Sequence, residues 1–302
     1  MSSTSSPVST RTNSRFADIK FRVLIIGKAN AGKTSILQRI CDTTQSPTVY
    51  RTVGTSREKI MLRPTQERSE HDIHDELIFA NHEGYIFHDS CGFESGDNQE
   101  LTIIQEFVRE KATKKRLKDR LHAIWYCVPM DSRRPSLDTK YILEVCPDKN
   151  VPVIAVFTKF DYFKLEISID MRREKKNPTQ EDINAEIKKR FEKHFLAGVR
   201  GASTYVRLEK MHKIGQRCDN LIEATADALQ DESVMIMLRA VQKENLEHSI
   251  TLSVKKTTPH LQDPRVEGLG LEGVKRCIMY FPSLWLWVSR YALCGYFSNH
   301  AV

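Results

Sequence analysis

The stretch Gly27-Lys28-Ala29-Asn30-Ala31-Gly32-Lys33-Thr34 decides how the rest of this chain is read. It fits the phosphate-binding pattern G-x-x-x-x-G-K-[ST] without a gap, and it lies between an apolar run at 21–26 and a helical pattern at 35–40. Two glycines let the backbone curl around a diphosphate. Successive N–H groups and the helix N-terminus then face the negative charge, and Lys33 supplies a point charge. Thr34 is placed to offer its hydroxyl to a magnesium ion, and Ser35 continues the helix behind it. A glycine turn opening an ordinary helix is the plainer alternative, and the flanking strand and helix argue against it.

Outward from this stretch the chain alternates between strand and helix patterns. Strands are predicted at 21–26, 76–79, 85–88, 123–128, 153–157 and 204–208, with helical patterns between most of them. Several are near-continuous apolar runs, as expected of strands buried on both faces of a mostly parallel sheet. The expected fold class is therefore α/β, a mostly parallel central sheet flanked by helices with a C-terminal helical extension. Such a sheet binds ligands beyond the carboxyl ends of its strands, and two further motifs follow strand ends.

The first is Asp89-Ser90-Cys91-Gly92. An aspartate there can hold magnesium through water, and Gly92 can offer its N–H to a terminal phosphate. The second is Thr158-Lys159-Phe160-Asp161. A carboxylate such as Asp161 accepts two parallel hydrogen bonds from the N1–H and 2-amino group of guanine, whereas adenine has an acceptor at N1 and lacks the amine. The stem of Lys159 can cover the flat face of the base.

With these three motifs the chain resembles a small P-loop GTPase of the translation-factor-related class, Era-like and Ras-like, over roughly 20–229. The resemblance implies a G domain that binds GTP and GDP with Mg2+ held by Thr34, Asp89 and a switch threonine. Thr52 and Thr55 both lie in a suitable stretch. Gly54-Thr55-Ser56-Arg57 is similar to the G-T-T-R of bacterial ribosome- and RNA-associated GTPases, which favours Thr55. The guanine-contacting loop falls at Leu208-Glu209-Lys210, and Thr158 replaces the usual asparagine of N-K-x-D. Many relatives carry a water-orienting glutamine after D-x-x-G. This chain has Phe93, which cannot orient water by hydrogen bonding, so slow, partner-dependent hydrolysis is expected. Asn30 leaves two readings, a turn residue or a ligand for K+ beside the phosphates.

The remaining sequence bounds the setting. Of 302 residues 40% are hydrophobic and 28% charged, a globular balance, and the net charge of +7 is concentrated in part at 111–120. That basic run reads as a solvated face, and no specific nucleic acid is expected as a partner. Seven cysteines, scattered and never spaced C-x-x-C, point to a reducing compartment and so to a cytoplasmic protein. Residues 1–17, rich in Ser and Thr, read as a disordered arm without the apolar core of a secretion signal, and 18–230 as the G domain. Within it, 172–194 reads as a charged insertion forming a surface helix or helical pair. A further helix is expected within 231–256, a linker at 257–270 and an apolar tail at 271–302.

The tail segment 277–297 is about as long as a bilayer span. Its seven Leu, Ile, Val and Phe residues favour insertion by about 2 to 4 kcal/mol, while Arg290 opposes it by about 3, and Pro282 breaks the helix. Three readings stay open: an interfacial segment on a membrane surface, a tail docked on its own G domain, and a membrane anchor. For the whole chain, a nucleotide-dependent switch acting on an effector protein and a membrane-associated scaffold with little hydrolysis are both carried forward. An ATP-using enzyme is disfavoured by the Thr158 to Asp161 motif.

Overall fold

Eight strands form one sheet: β1 (Phe21–Gly27), β2 (Thr48–Val53), β3 (Ser56–Ile60), β4 (Glu76–Ile78), β5 (Tyr85–Asp89), β6 (Ala123–Pro129), β7 (Val153–Thr158) and β8 (Thr204–Arg207). Their order is β3-β2-β4-β5-β1-β6-β7-β8. Strands β5, β1, β6, β7 and β8 are parallel to their neighbours, while β4, β2 and β3 extend the sheet through antiparallel pairs. The helices are α1 (Lys33–Ile40), α2 (Asn98–Ala112), α3 (Phe160–Glu174), α4 (Gln180–His194), α5 (Asp219–Ala228) and α6 (Glu232–Val241). The computed structural model describes residues 19–53, 56–60, 72–80, 82–90, 98–131, 139, 141–142, 144–146, 150–174, 177–199 and 201–242. The chain divides into two units, Lys20–Gln230 and a second made of Met1–Ile19 with Asp231–Val302. Of the second, α6 is described, and its N-terminus is capped by the Asp231 side chain, which accepts from the N–H groups of Ser233 and Val234.

Strands β1, β6 and β7 are buried along their whole length, which is why their sequences are continuous apolar runs rather than alternating ones. Trp125 in β6 is fully buried and donates its indole N–H to Thr225 Oγ1 of α5 at 3.0 Å, satisfying the one polar atom it carries into the core. Within 172–194, where Ile183, Ile187 and Phe191 are spaced for one face of a helix, the structure has the end of α3 followed by α4. Residues 172–174 end α3, and the Ile183, Ile187 and Phe191 stripe of α4 joins the main core, with the Phe191 ring 4.8 Å from that of Phe157. Thr179 and Asp182 form a reciprocal capping box that sets where this helix starts.

The β2–β3 hairpin was not expected from the sequence, because Thr-Val-Tyr-Arg-Thr-Val and Ser-Arg-Glu-Lys-Ile lack a buried apolar face. Polar contacts hold it. Arg51 makes a bidentate pair with Asp75 at 2.7 and 2.6 Å, and Arg57 reaches Glu76 Oε2 at 2.5 Å with its guanidinium 4.4 Å from the Tyr50 ring centre. Glu76 shares its other oxygen with the buried Arg22 at 2.6 Å, and the same guanidinium lies 3.2 Å from His88 Nε2.

His88 is fully buried, its second ring nitrogen 3.1 Å from the carbonyl of Ile73. Burial first, and then the charges of Arg22 and Lys111, hold its pKa well below the ordinary histidine range, so it is neutral in the fold. The unfolded chain takes up this proton below about pH 6.5 and the folded one does not. Stability conferred by His88 is therefore complete above that pH and falls by up to about 1.4 kcal/mol per pH unit below it. Urea midpoints at pH 7.5, 6.5 and 5.5 should drop through this range in the native chain and drop less in His88→Gln. An identical drop in both proteins would contradict the assignment.

Candidate functional site

β1 ends on Gly27 because β6 leaves no room for a side chain. A Cβ there would meet the Cys127 carbonyl oxygen at 2.7 Å and the Cys127 Cβ at 2.9 Å. The chain then turns, with Ala31 N–H donating to Lys28 O at 3.1 Å, Asn30 at φ 62° and Gly32 at φ 84°. Gly32 is the N-cap of α1 and offers no side chain, so the first N–H groups of the helix are left to a ligand or water. Lys33 folds back into the loop it follows. Its ammonium donates to Gly27 O at 2.8 Å and Lys28 O at 3.3 Å and stands 3.6 Å from Asp89 Oδ1. Asn30 and Thr34 are exposed, while Lys28, Ala29 and Ser35 are half-buried.

Asp89 is the last residue of β5 and lies across from Ile25 of β1, which places its carboxylate beside the loop. The backbone N–H of Ser90 returns to Ile25 O at 3.2 Å, and its buried hydroxyl has no hydrogen-bond partner among the described residues. Gly92 and Thr55 lie outside the described residues. The residues flanking Thr55 are informative all the same. Tyr50 is level with Glu76, and Leu77 with Phe87, so β2 runs in the direction of β5 and its paired end, Val53 with Ser56, reaches past the level of Asp89.

Thr158 closes β7 and is buried, its hydroxyl without a hydrogen-bond partner among the described residues. Lys159 sits at φ 55°, and its ammonium is held by Asp131 Oδ2 at 2.6 Å. Phe160 and Asp161 open α3. The Phe160 N–H donates to Leu208 O at 3.0 Å, and Asp161 Oδ1 accepts from Lys210 N–H at 3.0 Å. Lys164 braces the same loop through Glu209 at 2.9 and 3.0 Å. Thr158, Lys159, Asp161, Leu208 and Glu209 are thus brought together by backbone and ion-pair contacts. Asp131 and Lys164, which the sequence reading did not single out, hold two of them in place.

Loop, Asp89 and Asp161 all stand at the carboxyl ends of neighbouring parallel strands, β5 and β1 on one side and β7 and β8 on the other, with β6 between. A ligand spanning them would meet a cationic loop at one end and a carboxylate at the other. The Thr34 hydroxyl and the Asp89 carboxylate are hard oxygen donors of the kind Mg2+ takes. Among the described residues no group of three His, Cys, Asp or Glu could hold a metal. Also among the described residues, no helix is long and apolar enough to cross a membrane, and the tail 277–297 lies outside them.

Residues 22–159 match the profile of the 50S ribosome-binding GTPase family. No curated protein matches the chain significantly. Among solved structures, an NFeoB mutant of S. thermophilus bound to GDP aligns at 13% identity over 88% of this chain and 91% of its own, with a TM-score of 0.38. An Era variant of Aquifex aeolicus bound to GDP and AlF4− aligns at 18% identity over 70% of this chain and 57% of its own, TM-score 0.38. A GTP-binding protein of Sulfolobus solfataricus in complex with GDP aligns at 10% identity over 74% and 53%, TM-score 0.32.

Proposed function

With residues 22–159 a domain of the small P-loop GTPase class, we propose that this protein binds GTP and GDP at the carboxyl edge of its sheet and works as a nucleotide-dependent switch. The single observation that carries the reading is the Lys33–Asp89 approach of 3.6 Å, which joins the phosphate loop to the end of a second strand while Asp161 stands at the end of the same sheet edge. The backbone N–H groups from Gly27 to Ser35, Lys33 and Gly92 hold phosphates. Thr34, Asp89 and Thr55 serve Mg2+. Thr158, Lys159 and Asp161 read guanine, with Leu208 and Glu209 beside the base. GTP would order the Thr55 and Gly92 segments, and hydrolysis would release them toward an effector protein. With Phe93 after D-x-x-G, hydrolysis is slow until a partner completes it. K+ at Asn30 and membrane contact through 277–297 belong to this proposal, and both rest on sequence alone.

Titration with fluorescent GTP and ATP, with and without Mg2+, tests it. GTP should saturate the protein, unlabelled ATP should fail to displace it, and removing Mg2+ should weaken the triphosphate more than the diphosphate. Displacement by ATP at equal concentration would overturn the guanine reading. In the same preparation, single-turnover hydrolysis should be slow in dilute protein and faster in K+ than in Na+. A fast rate without a partner would remove the partner-dependence, and equal rates in the two salts would remove the cation.

A further inference from the structure

The sheet ends in two edges of opposite character. β3 carries Arg57, Glu58 and Lys59, all exposed, and charges of this kind discourage a further strand from pairing. β8, Thr-Tyr-Val-Arg, has one strand neighbour among the described residues, β7, and contains neither proline nor an acid. A groove of about 850 Å³ runs along it, lined by all four residues of the strand and walled by α3, α4 and the start of α5.

The chemistry of that groove is specific. Tyr205 is 41% exposed with its ring 5.8 Å from Phe191, giving an apolar floor that Ile187 extends. Arg207 lies over the rings of Phe160 and Phe191 at 5.1 and 5.6 Å, and among the described residues no carboxylate lies within salt-bridge distance of it. Lys188 is 78% exposed and meets Glu192 only at 4.0 Å. The one acid lining the groove, Glu209, is already neutralised by Lys164 at 2.9 Å. Among the described residues Arg207 therefore has no carboxylate partner and Lys188 only the distant Glu192, which leaves the groove beside this strand edge net positive.

We propose that this edge is the docking site for an extended, acidic peptide segment of a partner protein, which adds to β8 as a further strand. Main-chain hydrogen bonds to β8 would supply affinity. Tyr205 and Arg207, two positions apart, both face the Phe191 ring of α4, so every second peptide side chain, those on that face, would supply selection: an apolar one on Tyr205 and Ile187, acidic ones toward Lys188 and Arg207. A second copy of this chain is the poorer occupant, because joining two β8 edges brings two uncompensated positive grooves together. At about 3.3 Å per residue the four-residue edge calls for a peptide of roughly six residues. The docking claim does not depend on the nucleotide reading.

The probe is a fluorescein-labelled hexapeptide of sequence Val-Thr-Glu-Thr-Glu-Thr, whose Val and Glu side chains share one face of a strand, titrated with the full chain by anisotropy beside the counterpart in which every Glu is Lys. Saturable binding at least tenfold tighter than the lysine counterpart is expected, weakened at least fivefold by Lys188→Glu, an exposed substitution that leaves the core untouched. N-methylation of alternate backbone nitrogens should abolish binding in one register and spare it in the other, a readout that needs no protein variant. Equal binding of the two peptides, indifference to Lys188→Glu, indifference to both methylation registers, or no saturation at millimolar protein would each overturn the proposal. So would sedimentation showing that the chain dimerises through this edge and that dimerisation excludes the peptide.

Discussion

Asp161→Asn should weaken binding of GTP and GDP by roughly 30-fold to several thousand-fold while strengthening binding of xanthosine triphosphate. The expected size follows from losing one partner of a desolvated, charge-assisted pair, worth about 2 to 5 kcal/mol, with each 1.4 kcal/mol a factor of ten. The direction follows from geometry. Asp161 Oδ1 already accepts the Lys210 N–H at 3.0 Å, so an asparagine in its place keeps that bond by setting its own oxygen there. Its NH2 group then occupies the position of Oδ2. Guanine offers donors at N1 and at the 2-amino group, so donor would meet donor. Xanthine has a carbonyl in place of the amine, which accepts from the new NH2. The change is nearly isosteric and conserves the Lys210 contact, so thermal stability should be unaltered, and a fall in affinity cannot then be ascribed to unfolding. Measuring Kd for GTP, xanthosine triphosphate and ATP on both proteins decides the matter. A change of less than threefold in GTP affinity, or parallel losses for all three, would show that Asp161 does not read the base.

The parts of this site that the sequence displayed are those whose chemistry requires contiguous residues. A phosphate loop must be built from successive N–H groups, so Gly27 to Thr34 is legible as a string, and β1, β6 and β7 are legible because both faces of each are buried. What escaped the sequence is held by contacts distant along the chain. The β2–β3 hairpin depends on Arg51 and Asp75, 24 positions apart, and its own composition reads as loop. Asp131 holds Lys159 across 28 positions. Helix α4 is legible from the helical spacing of Ile183, Ile187 and Phe191, whereas its place in the main core depends on the rings of Phe157 and Phe160, distant along the chain. Lys159 in the left-handed region is why the Thr158 to Asp161 motif straddles a strand end and a helix start, so that a single turn sets both a base-covering stem and a base-reading carboxylate.

Glu76→Ala should destabilise the domain by about 3 kcal/mol or more, because it leaves the buried guanidinium of Arg22 without its close carboxylate. The Arg22 side chain is 9% exposed and that of Glu76 12%, and the 2.6 Å contact between them sits inside a set in which Arg22 also donates to Lys118 O and lies beside neutral His88. Those remaining contacts satisfy N–H groups, and the second carboxylate near the guanidinium, Asp119 at 4.0 Å and 43% exposed, is too distant and too solvated to offset much of the charge. The second oxygen of Glu76 is bound by Arg57, whose side chain is 45% exposed, so Arg57→Ala removes a solvated partner and should cost no more than about 1 kcal/mol. For a domain of this size, about 3 kcal/mol corresponds to a melting temperature lower by about 6 to 12 °C. Replacing both members, Arg22→Met with Glu76→Leu, takes the unpaired charge away along with the pair. It should recover most of what Glu76→Ala loses, since buried ion pairs are often exchanged for apolar residues at no net cost. Thermal melts of these variants together separate the two sources of stability. If Arg57→Ala costs as much as Glu76→Ala, the hairpin contact and not the buried charge is what Glu76 provides. If the double variant is no more stable than Glu76→Ala, then desolvation of Arg22 is not what makes the single change severe.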